Sequence, residues 1–153
     1  MDNSGDVLLT RKLQTKWKAS SVLNGDRTFR VQNVYDETNI SCWNSAPGIS
    51  PQWITVSFPE PIRLNKIQFM FQGGFVSEEI TIHIQTLMKP TEWHEIVHDI
   101  DINDDNSLQT FRVCPIDNMI GLKIHFLQSS DFYGRITMYQ CLLFGKVMSE
   151  IGQ

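Results

Sequence analysis

The clearest pattern in the sequence is Ile80-Thr81-Ile82-His83-Ile84-Gln85, in which apolar and polar residues alternate strictly. A period of two places successive side chains on opposite faces of a β-strand, so one face is buried and the other meets solvent. β-Branched residues such as isoleucine also favour strands over helices. This segment therefore predicts a half-buried strand of an antiparallel sheet.

The same alternation recurs outward from this segment in both directions. It is present at 54–58, at 67–71 and at 122–126, while 136–144 is apolar on both faces, as expected for a central strand or a packed edge strand. Proline, glycine and asparagine separate these runs at intervals typical of an all-β sandwich or barrel. Only Leu8 to Lys16 is ambiguous between helix and strand. We expect one domain spanning residues 1–153, with its core at about 17–147.

Composition limits the class of protein. The chain has 153 residues, with 41% hydrophobic and 20% charged residues and a formal net charge of -4, which suits one globular domain and argues against a general binder of phosphate backbones. A local basic patch remains compatible with these numbers. No apolar run approaches the ~20 residues that cross a bilayer, and the polar start does not resemble a signal peptide.

The cysteine count indicates the compartment. Cys42, Cys114 and Cys141 are odd in number and lack metal-type spacing, which predicts reduced thiols in an intracellular protein of the nucleus or cytoplasm.

Motifs for catalysis are absent from the sequence, and we predict that the protein is not an enzyme. No G-x-S-x-G elbow is present. His94 and His98 are four residues apart in a predicted strand, which separates them too far to share a metal ion. The acidic stretch 99–106 has neither the glycine nor the glutamate that an EF-hand loop requires, so it is better interpreted as a turn in which Asp and Asn bind local backbone.

Several segments together carry a family resemblance. An Asp-rich turn precedes Trp43, a Trp-led strand begins at Trp53, and a further strand spans 62–69. Gly134-Arg135-Ile136 and Leu142-Leu143-Phe144-Gly145 follow near the end. With these motifs, covering about 17–147, the chain resembles the discoidin, or coagulation factor F5/8 type C, family of galactose-binding-like domains. The resemblance implies a discoidin-like jelly-roll β-sandwich.

A narrower resemblance rests on four segments. They are Cys42-Trp43-Asn44-Ser45, Phe71-Gln72-Gly73-Gly74-Phe75, residues 105–111 and Asp131-Phe132-Tyr133-Gly134-Arg135. At these residues the chain is similar to a small intracellular discoidin-like family, the orphan nuclear receptor-associated proteins, which regulate receptor-driven transcription. This resemblance implies a non-catalytic module that binds a protein partner, such as a nuclear receptor.

The candidate partner site consists of residues in loops that the sandwich should bring to one end. They are Asn44, Gln72, Gly73, Gly74, Phe75, Asp131, Phe132, Tyr133 and Arg135. Phe75 and Tyr133 are the candidate anchors, because exposed aromatic residues are common interface hot spots. Arg135 is also expected to pair with Asp131, while Trp43 and Trp53 are expected in the core.

Cofactors play little part in this interpretation. We predict no organic cofactor. Asp36, Asn39 and Ser41 match the turn that holds a structural calcium ion in many galactose-binding-like domains, although Glu37 replaces the glycine that usually follows the aspartate.

Two other classes of binding stay open. A carbohydrate-binding protein would use an aromatic platform flanked by Asn44, Gln72 or Arg135. A nucleic-acid-binding protein would gather Lys and Arg on one face, and several basic residues do lie early in the chain, at positions 11, 12, 16, 18, 27 and 30. Both are weaker predictions than a protein partner, and no membrane association is expected.

Overall fold

Strands make up most of the structure. The computed structural model describes residues 5–152, without the side chains of 97–99. The strands are β1 (Val7–Leu8), β2 (Lys16–Ala19), β3 (Trp43–Asn44), β4 (Gln52–Phe71), β5 (Ser77–Thr86), β6 (Lys89–Asp101), β7 (Leu108–Ser129) and β8 (Thr137–Val147). One helical turn, α1 (Leu9–Lys12), follows β1, and short 3-10 segments lie at Leu23–Gly25, Arg27–Phe29, Val31–Tyr35 and Met148–Glu150.

The two longest strands, β4 and β7, each contribute to both sheets of an antiparallel sandwich. The first half of β4 pairs with β2 and with the second half of β7. The pairing register then shifts between Ser57 and Ile62, where Pro59 and Pro61 interrupt the ladder. The second half of β4 pairs with β8 and with the first half of β7.

The first sheet therefore has the order β2, β4, β7, β5, β6, and the second has β8 between β4 and the short strands β1 and β3. The predicted all-β sandwich is confirmed.

Alternation in the sequence corresponds to alternation in burial. Ile80, Ile82 and Ile84 are buried, and so are their partners Leu122, Ile124 and Phe126 on β7. Trp43 is fully buried, with its ring 5.6 Å from that of Phe126, and its indole N–H donates to the carbonyl of Ser21 at 2.9 Å. Trp43 is thus a core residue, as expected.

Two regions differ from a simple interpretation of the sequence. The ambiguous stretch after Leu8 contains both a two-residue strand and one helical turn, and Leu9 at the start of that turn is fully buried in the core. Trp53, expected in the core, is only half-buried. It alternates with the buried Ile54 and therefore lies on the outer face of the first sheet.

The course of the long strands brings several loops to one end. β4 and β7 both leave this end, cross between the sheets at the far end and return. The loops 45–51, 72–76, 102–107 and 130–136 consequently lie together, and this region is called the loop end.

Candidate functional site

Hydrogen bonds between main-chain groups join the loops of the loop end. The N–H of Gly48 donates to the carbonyl of Tyr133 at 3.0 Å, and the N–H of Thr137 donates to the carbonyl of Phe75 at 3.0 Å. In addition, the N–H of Ser130 donates to the carbonyl of Val76 at 2.9 Å. The predicted convergence of these loops is confirmed.

A buried serine fastens the loop 45–51 to the start of β8. Ser45 is fully buried, and its N–H donates to the carbonyl of Ile136 at 2.9 Å. Its hydroxyl oxygen accepts a hydrogen bond from the N–H of Ile136 at 2.8 Å. The main-chain N–H and carbonyl of Ile136 therefore both have hydrogen-bond partners, as buried polar groups require.

A buried glutamine fastens the other end of that loop. The side-chain N–H of Gln52 donates to the carbonyl of Ala46 at 2.7 Å, while its side-chain oxygen accepts from the hydroxyls of Ser20 and Ser21. Neither Ser45 nor Gln52 was predicted from the sequence to hold the loop end together. No signal in a single sequence distinguishes them from exposed polar residues, because their roles depend on contacts with distant segments.

An ion pair forms the base of the loop 130–136. The Nε of Arg135 donates to Asp131 at 2.9 Å, its Nη2 donates to the other carboxylate oxygen at 3.3 Å, and its main-chain N–H also donates to Asp131 at 3.1 Å. The predicted pairing is confirmed. The hydrogen bond from Arg135 is the main cause that holds the pKa of the Asp131 carboxyl below its usual value.

Two aromatic rings flank the same guanidinium group. Its central carbon lies 5.1 Å from the ring centroid of Phe75 and 5.7 Å from that of Tyr133. Such contacts are attractive because the face of an aromatic ring is electronegative. Phe75 is half-buried, so it supports Arg135 and differs from the fully exposed anchor suggested by the sequence.

The most exposed apolar group at the loop end is a pair of adjacent aromatic residues. Phe132 is 92% exposed and Tyr133 is 63% exposed. Their ring centroids are 5.2 Å apart and their planes are nearly perpendicular, at 89°. Ile49, next to the Gly48 that bonds Tyr133, is exposed as well. Phe132 and Tyr133 are called the aromatic pair.

The side chains of Asn44 and Gln72, also in the candidate site, accept hydrogen bonds from residues of β8. The Thr137 hydroxyl donates to the side-chain oxygen of Asn44 at 3.2 Å, and the Tyr139 hydroxyl donates to that of Gln72 at 3.3 Å. The structure therefore brings Asn44, Gln72 and Arg135 to one end, where the amide oxygens of Asn44 and Gln72 and the Nε and Nη2 of Arg135 bond to neighbouring side chains.

Side chains from the loop 102–107 close the Gly73-Gly74 turn. The N–H of Gly73 donates to Asn106, and the N–H of Gly74 donates to Asp104 at 2.7 Å. Asp105 accepts from the N–H of Ser107 at 2.9 Å. The prediction that this acidic stretch bonds to backbone is confirmed.

The candidate calcium turn is closed by its own hydrogen bonds. One carboxylate oxygen of Asp36 accepts from the N–H and the hydroxyl of Thr38, each at 2.9 Å, and the other accepts from the hydroxyl of Ser41. The side-chain oxygen of Asn39 accepts from Gln140 at 3.0 Å, while Glu37 pairs with Arg11. Calcium takes six to eight oxygen ligands, so one engaged carboxylate fits it poorly. Occupancy of this turn stays a prediction of the resemblance.

Within residues 5–96 and 100–152, no three His, Cys, Asp or Glu side chains are grouped so that they could hold a metal ion. The side chain of His98 lies outside the described residues, so the separation predicted for His94 and His98 is untested. No helix in the described part of the chain is long and apolar enough to cross a membrane.

Solved structures with the same fold bind different ligands or have no stated ligand. The F5/8 type C domain of a Bacteroides fragilis protein superposes with a TM-score of 0.80 at 15% identity, covering 95% of this chain and 99% of that domain. A family 32 carbohydrate-binding module of Clostridium perfringens, solved with galactose, gives a TM-score of 0.74 at 15% identity, covering 91% and 98%. A chitosan-binding module from Paenibacillus gives 0.72 at 19% identity, covering 87% and 96%. At these identities the likeness establishes the fold, a discoidin-like jelly roll.

Relatives with higher sequence identity share one name. No family model matches the chain. The nuclear receptor 2C2-associated protein of Homo sapiens is 37% identical over 134 residues, which cover 87% of this chain and 93% of the relative. The Xenopus laevis protein of the same name is 37% identical over 129 residues, covering 84% and 91%. The chain therefore belongs to the family of nuclear receptor 2C2-associated proteins.

Proposed function

We propose that this protein is a non-catalytic interaction module that binds a nuclear receptor through the aromatic pair at the loop end. The observation that carries the proposal is the exposure of Phe132 and Tyr133, two large apolar side chains in contact with each other. Exposed aromatic residues of this kind supply much of the affinity of protein interfaces. The names of the relatives indicate the class of partner.

The base of the aromatic pair supports this role. The Asp131–Arg135 ion pair and the hydrogen bond between Gly48 and Tyr133 fix the backbone on both sides of the pair. A fixed backbone lowers the entropy lost when the side chains enter a pocket of the partner. The site therefore combines exposed apolar area with a preorganised support.

The same geometry favours a protein over a glycan. Sugar recognition needs polar groups free to bond to hydroxyls, but Asn44, Gln72 and Arg135 already bond to neighbouring side chains. The large side chains most exposed at the loop end, Phe132 and Tyr133, are aromatic. The engagement of the polar groups also suits a binding surface better than a catalytic one.

We infer that the protein acts in the nucleus or the cytoplasm, where nuclear receptors act. Its binding to the receptor there would regulate transcription. Cys42, Cys114 and Cys141 are free thiols, which fits a reducing compartment.

Binding of purified nuclear receptor 2C2 to the full chain, measured by calorimetry, tests the proposal. The Phe132→Ala, Tyr133→Ala double variant should lower the affinity by about 30-fold or more, because a single hot-spot residue already contributes about 2 kcal/mol. The matched control is Leu87→Ala, Met88→Ala, which removes two exposed apolar residues from the far end. This control should bind like the wild type.

Two outcomes would contradict the proposal. Wild-type protein that does not bind the receptor would exclude this partner. Equal affinities for the wild type and the aromatic-pair variant would exclude the loop end as the site.

A further inference from the structure

The outer face of the first sheet carries two tryptophans on either side of a lysine. The Lys123 ammonium lies 5.1 Å from the ring centroid of Trp53 and 6.0 Å from that of Trp93. Trp53 is on β4, Lys123 on β7 and Trp93 on β6, so the three side chains extend across the sheet. Trp93 is 39% exposed although it is a large aromatic residue.

Two lysines lie in one row of paired residues across this face. Direct strand pairing places Lys18 opposite Thr55, Thr55 opposite Lys123, and Lys123 opposite His83. Neighbouring strands are about 4.8 Å apart, so the row spans the sheet at close intervals. Lys16, two residues before Lys18, projects from the same face. Glu95 on β6 lies opposite His83 at the end of the row, so Lys16, Lys18 and Lys123 leave this face with a local excess of positive charge, although the whole chain has a net charge of -4.

Two histidines, on β7 and β5, lie between the strands that carry the tryptophans. The ring centroids of His83 and His125 are 5.0 Å apart, with the planes at 82°. Both Nδ1 atoms are buried without a hydrogen-bond partner, so the rings lie against the sheet. Burial is the main cause that lowers the pKa of His125, with further contributions from Lys123 and His83. The face is thus a platform of aromatic rings, called the sheet platform and made of Trp53, Trp93, His83, His125 and Lys123.

We propose that the sheet platform binds single-stranded nucleic acid, with a base stacked on the exposed ring of Trp93 and phosphates held by Lys123 and Lys18. Proteins that bind single strands combine aromatic side chains with a basic surface, because every base has a face that stacks and every nucleotide has a phosphate. This activity is separate from the receptor binding at the loop end.

Other occupants fit the sheet platform less well. A second copy of the chain would bring like charges together, since Lys16, Lys18 and Lys123 project from one face. An acidic peptide would satisfy the lysines but would not stack on the exposed ring of Trp93. Single-stranded nucleic acid uses both features.

Fluorescence anisotropy with a labelled oligothymidylate of about 15 nucleotides, titrated at low and at moderate salt, tests the proposal. Lys123→Gln should weaken binding and reduce the slope of log affinity against log salt concentration by about 0.7, as expected for one lost phosphate contact on a single strand. Trp93→Leu should weaken binding by about 5- to 150-fold through the loss of one stacked base.

The chain offers a matched control on the opposite sheet. The Lys66 ammonium lies 4.4 Å from the ring centroid of Phe144, so Lys66→Gln also removes a lysine from an aromatic contact. Lys66→Gln and the loop-end variant Phe132→Ala, Tyr133→Ala should bind the oligonucleotide like the wild type. The latter result would separate this activity from receptor binding.

Three results would overturn the proposal. The first is no binding at low salt. The second is an equal loss of affinity in Lys123→Gln and Lys66→Gln, which would indicate attraction without a site. The third is a polyglutamate peptide of equal charge that binds as tightly as the oligonucleotide, with Trp93→Leu unchanged, which would indicate an acidic-peptide surface. Thermal unfolding of each variant establishes that it is folded, and Lys123→Gln tests the site if Trp93→Leu does not fold.

Discussion

Replacement of Ser45 by alanine tests how the loop end is held together. In the folded protein the Ser45 hydroxyl is the acceptor for the N–H of Ile136, at 2.8 Å, and both residues are buried, with exposed fractions of 0% and 1%. Alanine removes the acceptor without adding volume. The N–H of Ile136 would then be buried without a partner, because the space left by one oxygen atom is smaller than a water molecule requires.

The expected cost follows from this geometry. A buried donor left without an acceptor costs about 1–3 kcal/mol. For a chain of this length, each kcal/mol lowers the melting temperature by about 2–4 °C. Ser45→Ala should therefore lower the free energy of unfolding by about 2 kcal/mol and the melting temperature by about 4–8 °C.

Thermal and urea unfolding followed by circular dichroism measure this effect. The matched control is Ser107→Ala, because the Ser107 hydroxyl also makes a hydrogen bond, to Asp105, but in an exposed turn. Exposed substitutions of this kind change stability by less than about 0.5 kcal/mol. Hydrogen exchange of the Ile136 amide, followed by NMR, should accelerate in Ser45→Ala and stay unchanged in Ser107→Ala.

The reasoning would be refuted if the two alanine variants melted within about 1 °C of each other. Unchanged protection of the Ile136 amide would lead to the same conclusion. Either result would mean that another group or a solvent molecule satisfies this amide and that the loop 45–51 is held independently of Ser45.

Three further predictions concern the backbone, a histidine and the calcium turn. Gly145→Ala should destabilise the protein by about 3 kcal/mol or more in urea unfolding, because a Cβ atom there would lie 1.8 Å from the carbonyl oxygen of Arg63. The control is Gly25→Ala, which should cost clearly less because a Cβ atom at position 25 would have no other atom within 4 Å. The pKa of His125 is lowered in the folded protein, whereas in the unfolded state it is about 6.5. As pH falls through this value, the unfolded state therefore binds more protons than the folded state does. Stability should thus decline as pH falls from about 7 towards 5, and His125→Gln should flatten this dependence in urea unfolding; an unchanged slope would contradict the prediction. Calcium at about 5 mM should leave the melting temperature unchanged, because Asp36 is already engaged, and a rise that Asp36→Asn abolishes would show an ion at this turn.

The strands were predictable because burial of one face of a sheet imposes a period of two. Ile80, Ile82 and Ile84 are all buried, as their alternation indicates. The same rule applies to Trp53, which precedes the inward-facing Ile54 and must therefore face outward. Residue type alone suggested a core position for Trp53, and the periodicity was the better guide. The stretch after Leu8 has no comparable period, since Leu8 and Leu9 are adjacent and both buried.

The end of the sandwich that holds the loops was also predictable, but the exposed residues within it were not. Phe75 and Phe132 both lie beside small or polar residues near a glycine, so their local sequences give similar signals. Their environments differ because the carbonyl of Phe75 bonds to Thr137 and its ring lies against Arg135. Both contacts come from residues about 60 positions away in the sequence, and no local pattern reports such contacts.

Resemblance to a family indicates which positions are constrained, and the structure supplies the physical reason for the constraint. Gly145 closes one of the motifs that carry the resemblance, and the Arg63 carbonyl leaves no room for a side chain there. Glu37 stands where the family usually has glycine, and it adopts a positive φ of 63°, a conformation that glycine adopts without cost. Its carboxylate pairs with Arg11, which offsets part of that cost.

The two proposed surfaces share no side chain, and this makes them separable by mutation. Gln52 and Trp53 are consecutive residues of β4, so their side chains project to opposite sides of the first sheet. Gln52 holds the loop 45–51 from within, at 2.7 Å from the carbonyl of Ala46, whereas Trp53 lies under Lys123 on the outer face. A substitution at Trp53 should therefore affect the sheet platform and leave the aromatic pair in place. A substitution at Gln52 should loosen the loop end first, so receptor binding should fall before nucleic-acid binding does.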